Sequence, residues 1–177
     1  MKNKKICINE GYSFYDAYHE KRYIVSHDCR SKIVCKDKRQ SREYRFVNKD
    51  MKEVIKYCID GGIISEHEIS KCDFGIFTED NQLYLIELKG GDYEHAIEQI
   101  DTTIQTLIEN RNIKVDRINA RVVLSKVRIP NILTTKEKKL KSKLSRYKGT
   151  LEKCTEKMEE QYCSKKQGYY ISGKQSS

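Results

Sequence analysis

Asp73, Glu87 and Lys89 are residues of this chain whose types and spacing support chemistry, and they fall in the stretch 71–101, KCDFGIFTEDNQLYLIELKGGDYEHAIEQID. Two apolar runs, 72–77 and 83–87, flank the polar connector Glu79-Asp80-Asn81, the pattern of a β-hairpin. Side chains alternate faces along a strand, so Leu83, Leu85, Glu87 and Lys89 share one face, and Tyr84, Ile86 and Leu88 the other. On the partner strand Asp73, Gly75 and Phe77 share a face, and a three-residue connector sets Asp73 directly opposite Glu87. Opposed residues have Cβ atoms about 4.5 to 5.5 Å apart. Two carboxylates that close repel each other unless one takes a proton or a cation lies between them. Mg²⁺ meets that need, because it prefers octahedral oxygen coordination and is typically held by one or two carboxylates plus substrate phosphate. Lys89 would then stand beside the attacking water and the phosphate.

Asp73, a short spacer and Glu87-Leu88-Lys89 resemble the metal-binding core of the PD-(D/E)xK superfamily, the restriction-endonuclease-like nucleases. The similarity spans residues 60–125. It implies an α/β fold, with a restriction-endonuclease-like core and a mixed central sheet flanked by helices. It also implies Mg²⁺ (or Mn²⁺) as cofactor and hydrolysis of phosphodiester bonds in nucleic acid, DNA favoured over RNA. Residue by residue, the resemblance implies Asp73 and Glu87 as metal ligands, Lys89 as the catalytic lysine and Gln99 as a glutamine that a subset of members carry near the site. Cys72 stands where the family usually has proline. The E-x-K triplet by itself is weakly specific in a chain that is 34% charged. Its context sharpens it: an apolar strand before, Gly90-Gly91 after, then an amphipathic helix, and an aspartate in matching phase upstream. The competing reading is a solvated strand face with a surface ion pair.

The elements that must position these groups follow from periodicity. Gly90-Gly91 lets the chain leave the strand, and Asp92 is a natural N-cap for a helix running to about Asn110, with Ala96, Ile97, Ile100, Ile104, Leu107 and Ile108 as its buried stripe and Gln99 on the flank. Residues 118–125 read as a strand returning by crossover to the same sheet. Residues 49–59 are expected to be a helix, because Met51, Val54, Ile55 and Cys58 recur at helical spacing. The segment 59–65 that follows brings Asp60 near the site as a further candidate, or else makes it a turn residue beside Gly61-Gly62.

Four segments divide the chain: a basic, tyrosine-rich, β-prone region (1–48), the core (49–130), a basic amphipathic helical extension (131–163) and a flexible tail (164–177). In the first, β-prone pieces lie at 23–26, 32–36 and 43–47, the last two joined by a polar turn at 37–41. There Arg39, Arg42 and Arg45 with Tyr44 could follow a nucleic-acid backbone, although strand tyrosines are ordinary packing residues. In the extension, Thr134-x-x-Glu137 opens a helix carrying Lys136, Lys138, Lys139, Lys141, Lys143 and Arg146, the best candidate for a phosphate-contacting surface. Residues 151–163 repeat the helical period with Leu151, Cys154, Met158 and Tyr162, and their glutamates are expected to fold back on the basic helix.

A net charge of +9 favours a polyanionic partner. Seven cysteines without paired C-x-x-C spacing, and no apolar leader, suggest reduced thiols in a cytoplasmic protein. Cys29, Cys35 and His27 lack the spacing of a zinc site. No apolar run is long enough to span a membrane, and nothing in the sequence excludes a homodimer. The leading expectation is therefore a metal-dependent nuclease. Its alternative is the same core kept as a non-catalytic nucleic-acid-binding or protein-interaction factor, such as a phage or defence-system protein.

Overall fold

A computed structural model of the chain describes residues 12–36, 41–125 and 134–164. A short helix α1 (Phe14–Ala17) precedes the strands β1 (Ile24–Asp28), β2 (Lys32–Lys36), β3 (Glu43–Asn48), β4 (Val54–Cys58), β5 (Phe74–Thr78) and β6 (Gln82–Lys89). Helix α2 (Tyr93–Ile104), strand β7 (Arg117–Leu124), helix α3 (Thr135–Arg146) and strands β8 (Leu151–Thr155) and β9 (Lys157–Tyr162) complete the order. Asp92 caps α2 by accepting the His95 N–H at 3.0 Å, and a π-helical turn, Gln105–Glu109, extends it. Thr134 caps α3.

Six strands form a mixed sheet in the order β1-β4-β5-β6-β7-β8, and β2, β3 and β9 form a second sheet. Strands β4, β5 and β6 are an antiparallel meander. Helix α2 then carries the chain over to β7, parallel to β6, and α3 carries it to β8, parallel to β7. Parallel neighbours need such crossovers, whereas the β5–β6 hairpin closes through the three residues Glu79, Asp80 and Asn81. The return from α3 to β8 requires glycine at 149, where a Cβ would lie 1.7 Å from the Ile118 carbonyl oxygen.

The large sheet is covered on both faces. Leu83 and Leu85 of β6 pack with Ala96, Ile97 and Ile100 of α2 and belong to the same core as Leu140 and Leu144 of α3. Tyr84, Ile86 and Leu88 belong to a second core with Ile33, Tyr44, Phe46 and Tyr162 of the small sheet. Helices, large sheet and small sheet are thus three layers, and both faces of β6 are covered from Gln82 to Leu88, with Lys89 at its end partly exposed. An ion pair between buried Arg121 and part-exposed Glu160 joins the two sheets: Arg121 of β7 donates two 2.6 Å hydrogen bonds to Glu160 of β9, which also accepts the Tyr44 hydroxyl at 2.7 Å.

Two expected helices are strands. The segment expected as helix 49–59 contains β4, in which Val54 faces the small sheet while Ile55 and Tyr57 face the helical layer. Residues expected as a second helix of the extension, 151–163, form β8 and β9, each in a different sheet, so the extension is helical only over α3. The β-prone pieces near 23–26, 32–36 and 43–47 are all strands. Arg39, Pro130, most of the turn at 37–41 and the tail beyond Ser164 lie outside the described residues. No helix among the described residues is long and apolar enough to cross a membrane.

Candidate active site

The β5–β6 register pairs Phe74 with Ile86, which continues to Asp73 against Glu87 at the open end of the hairpin. There β5 has ended, and the Asp73 side chain takes over its hydrogen bonding: Oδ2 accepts the Leu88 backbone N–H at 2.8 Å. The Asp73 carbonyl accepts the Ile59 N–H at 3.0 Å, so the residue is tied to both neighbouring segments. Glu87 is 2% exposed, and its Oε2 has no hydrogen-bond partner among the described residues. Burial first, and then the negative charge of Asp73, push the Glu87 carboxyl up to about 8, with Lys89 pulling in the opposite direction.

Lys89 Nζ stands 4.0 Å from Glu87 Oε1 and donates to Gln99 Oε1 at 2.6 Å. The Gln99 amide nitrogen donates in turn to the Lys71 carbonyl at 2.7 Å. The structure therefore gathers Asp73, Glu87, Lys89 and Gln99 in one place, where β5, β6 and α2 meet. Asp60 stands at its edge. Its exposed carboxylate is 3.3 Å from Lys71 Nζ, and its charge adds a smaller upward push on Glu87.

Comparison with protein-family models, curated proteins and solved structures finds no match to this chain. The donor set itself fits a hard divalent cation: two neighbouring carboxylates, one with a buried oxygen that has no hydrogen-bond partner among the described residues. Among the described residues no three His, Cys, Asp or Glu side chains gather at a point. Protein ligation would thus rest on Asp73 and Glu87, with water and phosphate oxygens filling the remaining positions. Cys72, beside Asp73, is fully buried, and burial holds its thiol well above the ordinary range, which suits packing and not nucleophilic attack.

Two further neighbours of this site are Thr103, which helical periodicity sets on the same flank as Ala96 and Gln99, and Lys71, which periodicity does not single out. Lys71 is 7% exposed, with Nζ bonded to the Glu66 carbonyl at 2.7 Å. A lysine two residues before the aspartate was the available signal, but nothing local distinguishes it from the chain's many solvated lysines.

Helix α3 presents its cations largely to α2. Lys136 pairs with Glu98 at 2.5 Å and Glu94 at 3.6 Å, and Lys139 lies 3.7 Å from Asp101. Lys143, 7% exposed, bridges Asp101 at 2.5 Å and Glu109 at 3.4 Å, and Arg146 also reaches Glu109. Lys141 pairs with Glu137 of its own helix. Lys138 is exposed and forms no ion pair with a described residue. The acids that meet α3 come from α2, and the expected partners, Glu152, Glu156, Glu159 and Glu160, lie on or between β8 and β9. In the N-terminal region Tyr44 is fully buried and so cannot stack on a base, Arg42 is 4% exposed and donates to Ser125, and Arg45 pairs with Glu43. His27 pairs with Glu53, while Cys35 is buried and Cys29 exposed.

Proposed function

We propose that this chain is a metal-dependent nuclease, hydrolysing phosphodiester bonds of nucleic acid with DNA favoured over RNA. The reading places it with the restriction-endonuclease-like PD-(D/E)xK enzymes. The observation that carries it is the buried Glu87 carboxylate set against Asp73, with Lys89 on the same face and fastened by Gln99. A scaffold without chemistry gains nothing from crowding two acids in a nearly dry place. The antiparallel meander followed by a helical crossover to β7 supports the same reading, because it puts this pair at the centre of a mixed sheet.

Asp73 and Glu87 would hold Mg²⁺ or Mn²⁺. Such an ion, when bound, supplies Lewis acidity toward the scissile phosphate and lowers the pKa of water. Asp73 is anchored by the Leu88 amide, which would limit how far its carboxylate must move to meet the ion. Glu87 is almost wholly shielded from bulk solvent, which strengthens charge interactions with it. Lys89, swung toward the substrate from its bond to Gln99, would orient the attacking water and offset charge growing on the phosphoryl oxygens. Gln99 limits where that ammonium can go.

The test is to incubate the purified protein with single- and double-stranded DNA and RNA in Mg²⁺, Mn²⁺ or EDTA, alongside Glu87→Ala and Lys89→Ala. Metal-dependent cleavage lost in both variants supports the reading, and cleavage undiminished in either removes this site. Salt-sensitive binding with no turnover in any metal would mark the core as a binding scaffold instead.

A further inference from the structure

The peptide unit between Lys71 and Cys72 is gripped at both ends by α2. Its carbonyl oxygen accepts the Gln99 side-chain amide at 2.7 Å, and its N–H donates to the Thr103 hydroxyl oxygen at 3.0 Å. Gln99 and Thr103 are one helical turn apart and therefore share a face. Thr103 Oγ1 donates its own proton to the Gln99 backbone carbonyl at 2.7 Å, which fixes the hydroxyl so that a lone pair points at Cys72 N. Thr103 is fully buried. Lys71 and Cys72 are buried outside any ladder, so this peptide must find partners for both its N–H and its C=O, and both come from one helix. What lies one residue further on is Asp73.

We infer that Thr103 is a positioning residue, which together with Gln99 clamps the Lys71–Cys72 peptide and so sets the Asp73 carboxylate against Glu87. This rests on the metal-site reading above and adds the device that holds the site's two halves in register. Asp73 precedes β5, and the ladder pairs β5 with β6 only from Phe74 onward. The register points Asp73 toward Glu87, but no β5–β6 ladder pair holds it there. On one side the Ile59 and Leu88 amides hold it, and on the other the clamp holds the peptide before it. Through Gln99 the same clamp reaches Lys89, so α2 ties the first ligand and the ammonium to one rigid element. Groups that orient a ligand by hydrogen bonding typically cost 10- to 100-fold in metal affinity when removed.

The hydroxyl and the methyl of Thr103 can be separated. Thr103→Val keeps the shape and the packing and removes the acceptor, whereas Thr103→Ser keeps the acceptor and removes a methyl group. Titration of the full chain with MnCl₂, followed by calorimetry, is expected to show binding to the unsubstituted chain, roughly 10-fold or more weaker binding to Thr103→Val, and near-original binding to Thr103→Ser. A packing role predicts the reverse order, with the serine variant the weaker, and that result or equal affinity in all three overturns the inference. Should Thr103→Val fail to fold, Gln99→Met opens the other end of the same peptide at a half-exposed position. Unchanged Mn²⁺ affinity there overturns the clamp. Absence of Mn²⁺ binding by the unsubstituted chain is a different failure, since it overturns the metal-site reading itself and the inference with it.

Discussion

Lys89 gives its hydrogen bond to Gln99, at 2.6 Å, although the Glu87 carboxylate on the same strand face lies 4.0 Å away. The ammonium is therefore held near the acid without neutralising it fully, and the buried oxygen of Glu87 stays available to a cation. Replacing Lys89 by Met should lower cleavage by about 100-fold or more while leaving Mn²⁺ affinity within a small factor, because the lysine acts on water and phosphate and not on the ion. Single-turnover cleavage measured beside Mn²⁺ calorimetry checks this. Loss of both together would make Lys89 a structural partner of the ligands.

The Glu87 carboxyl gives the metal-free protein a definite pH signature. Its ordinary pKa is 4.5, and burial raises it to about 8 in the folded chain. Between those values the unfolded chain has lost the proton that the folded chain keeps. Stability therefore falls as pH rises through this window, by up to about 1.4 kcal/mol per pH unit, and the loss is complete above the folded pKa. In EDTA, Glu87→Gln should melt higher than the unsubstituted chain at pH 8 and about equally at pH 4. Added Mg²⁺ should raise the melting temperature of the unsubstituted chain more at pH 8 than at pH 5, since it binds the ionised form. Thermal scans at these pH values decide it.

The cations of α3 divide into structural and available groups. Lys143 is buried between Asp101 and Glu109, so Lys143→Met should cost about 1.5 to 3 kcal/mol, because the two part-exposed carboxylates keep only the more distant Lys139 and Arg146. Lys138 is exposed on the same helix, and Lys138→Ala should leave stability unchanged. If α3 touches phosphate, Lys138→Ala reduces the slope of log affinity against log salt by roughly 0.9 on duplex DNA. An unaltered slope places the nucleic-acid contact elsewhere on the surface.

Arg121 and Glu160 join the two sheets from inside. Arg121→Met should destabilise the chain by roughly 1.5 to 3 kcal/mol, because the part-exposed Glu160 loses both charge-assisted hydrogen bonds from the guanidinium. The paired replacement Arg121→Met with Glu160→Met should recover much of the loss, as removal of both partners leaves neither charge unmatched. Chemical denaturation of the single and double variants measures the coupling.

The β5–β6 hairpin was legible from sequence because its information is local. A three-residue connector and strict alternation fix which side chains oppose each other, and Asp73, Glu87 and Lys89 follow from counting. The stripe and cap of α2 were legible for the same reason, and they place Gln99. Residues 49–59 and 151–163 read as helices because a few apolar residues spaced three and four apart fit a helical period as well as they fit short strands. What separates the two is the partner: β4 lies between β1 and β5, β8 joins β7, and β9 joins β3 from more than a hundred residues away. In β9 the inward position 160 is a glutamate, which breaks the apolar alternation until Arg121 is seen to answer it.

By itself the sequence determined that two acids and an ammonium share one face of one hairpin, since backbone geometry over a few residues admits no other outcome. Only the tertiary structure decided that Glu87 is dry, that Lys89 answers to Gln99, that Thr103 grips the peptide before Asp73, and that the α3 cations are largely matched by α2. Each of these depends on elements distant in the chain packing side by side, and burial and charge pairing are properties of that packing.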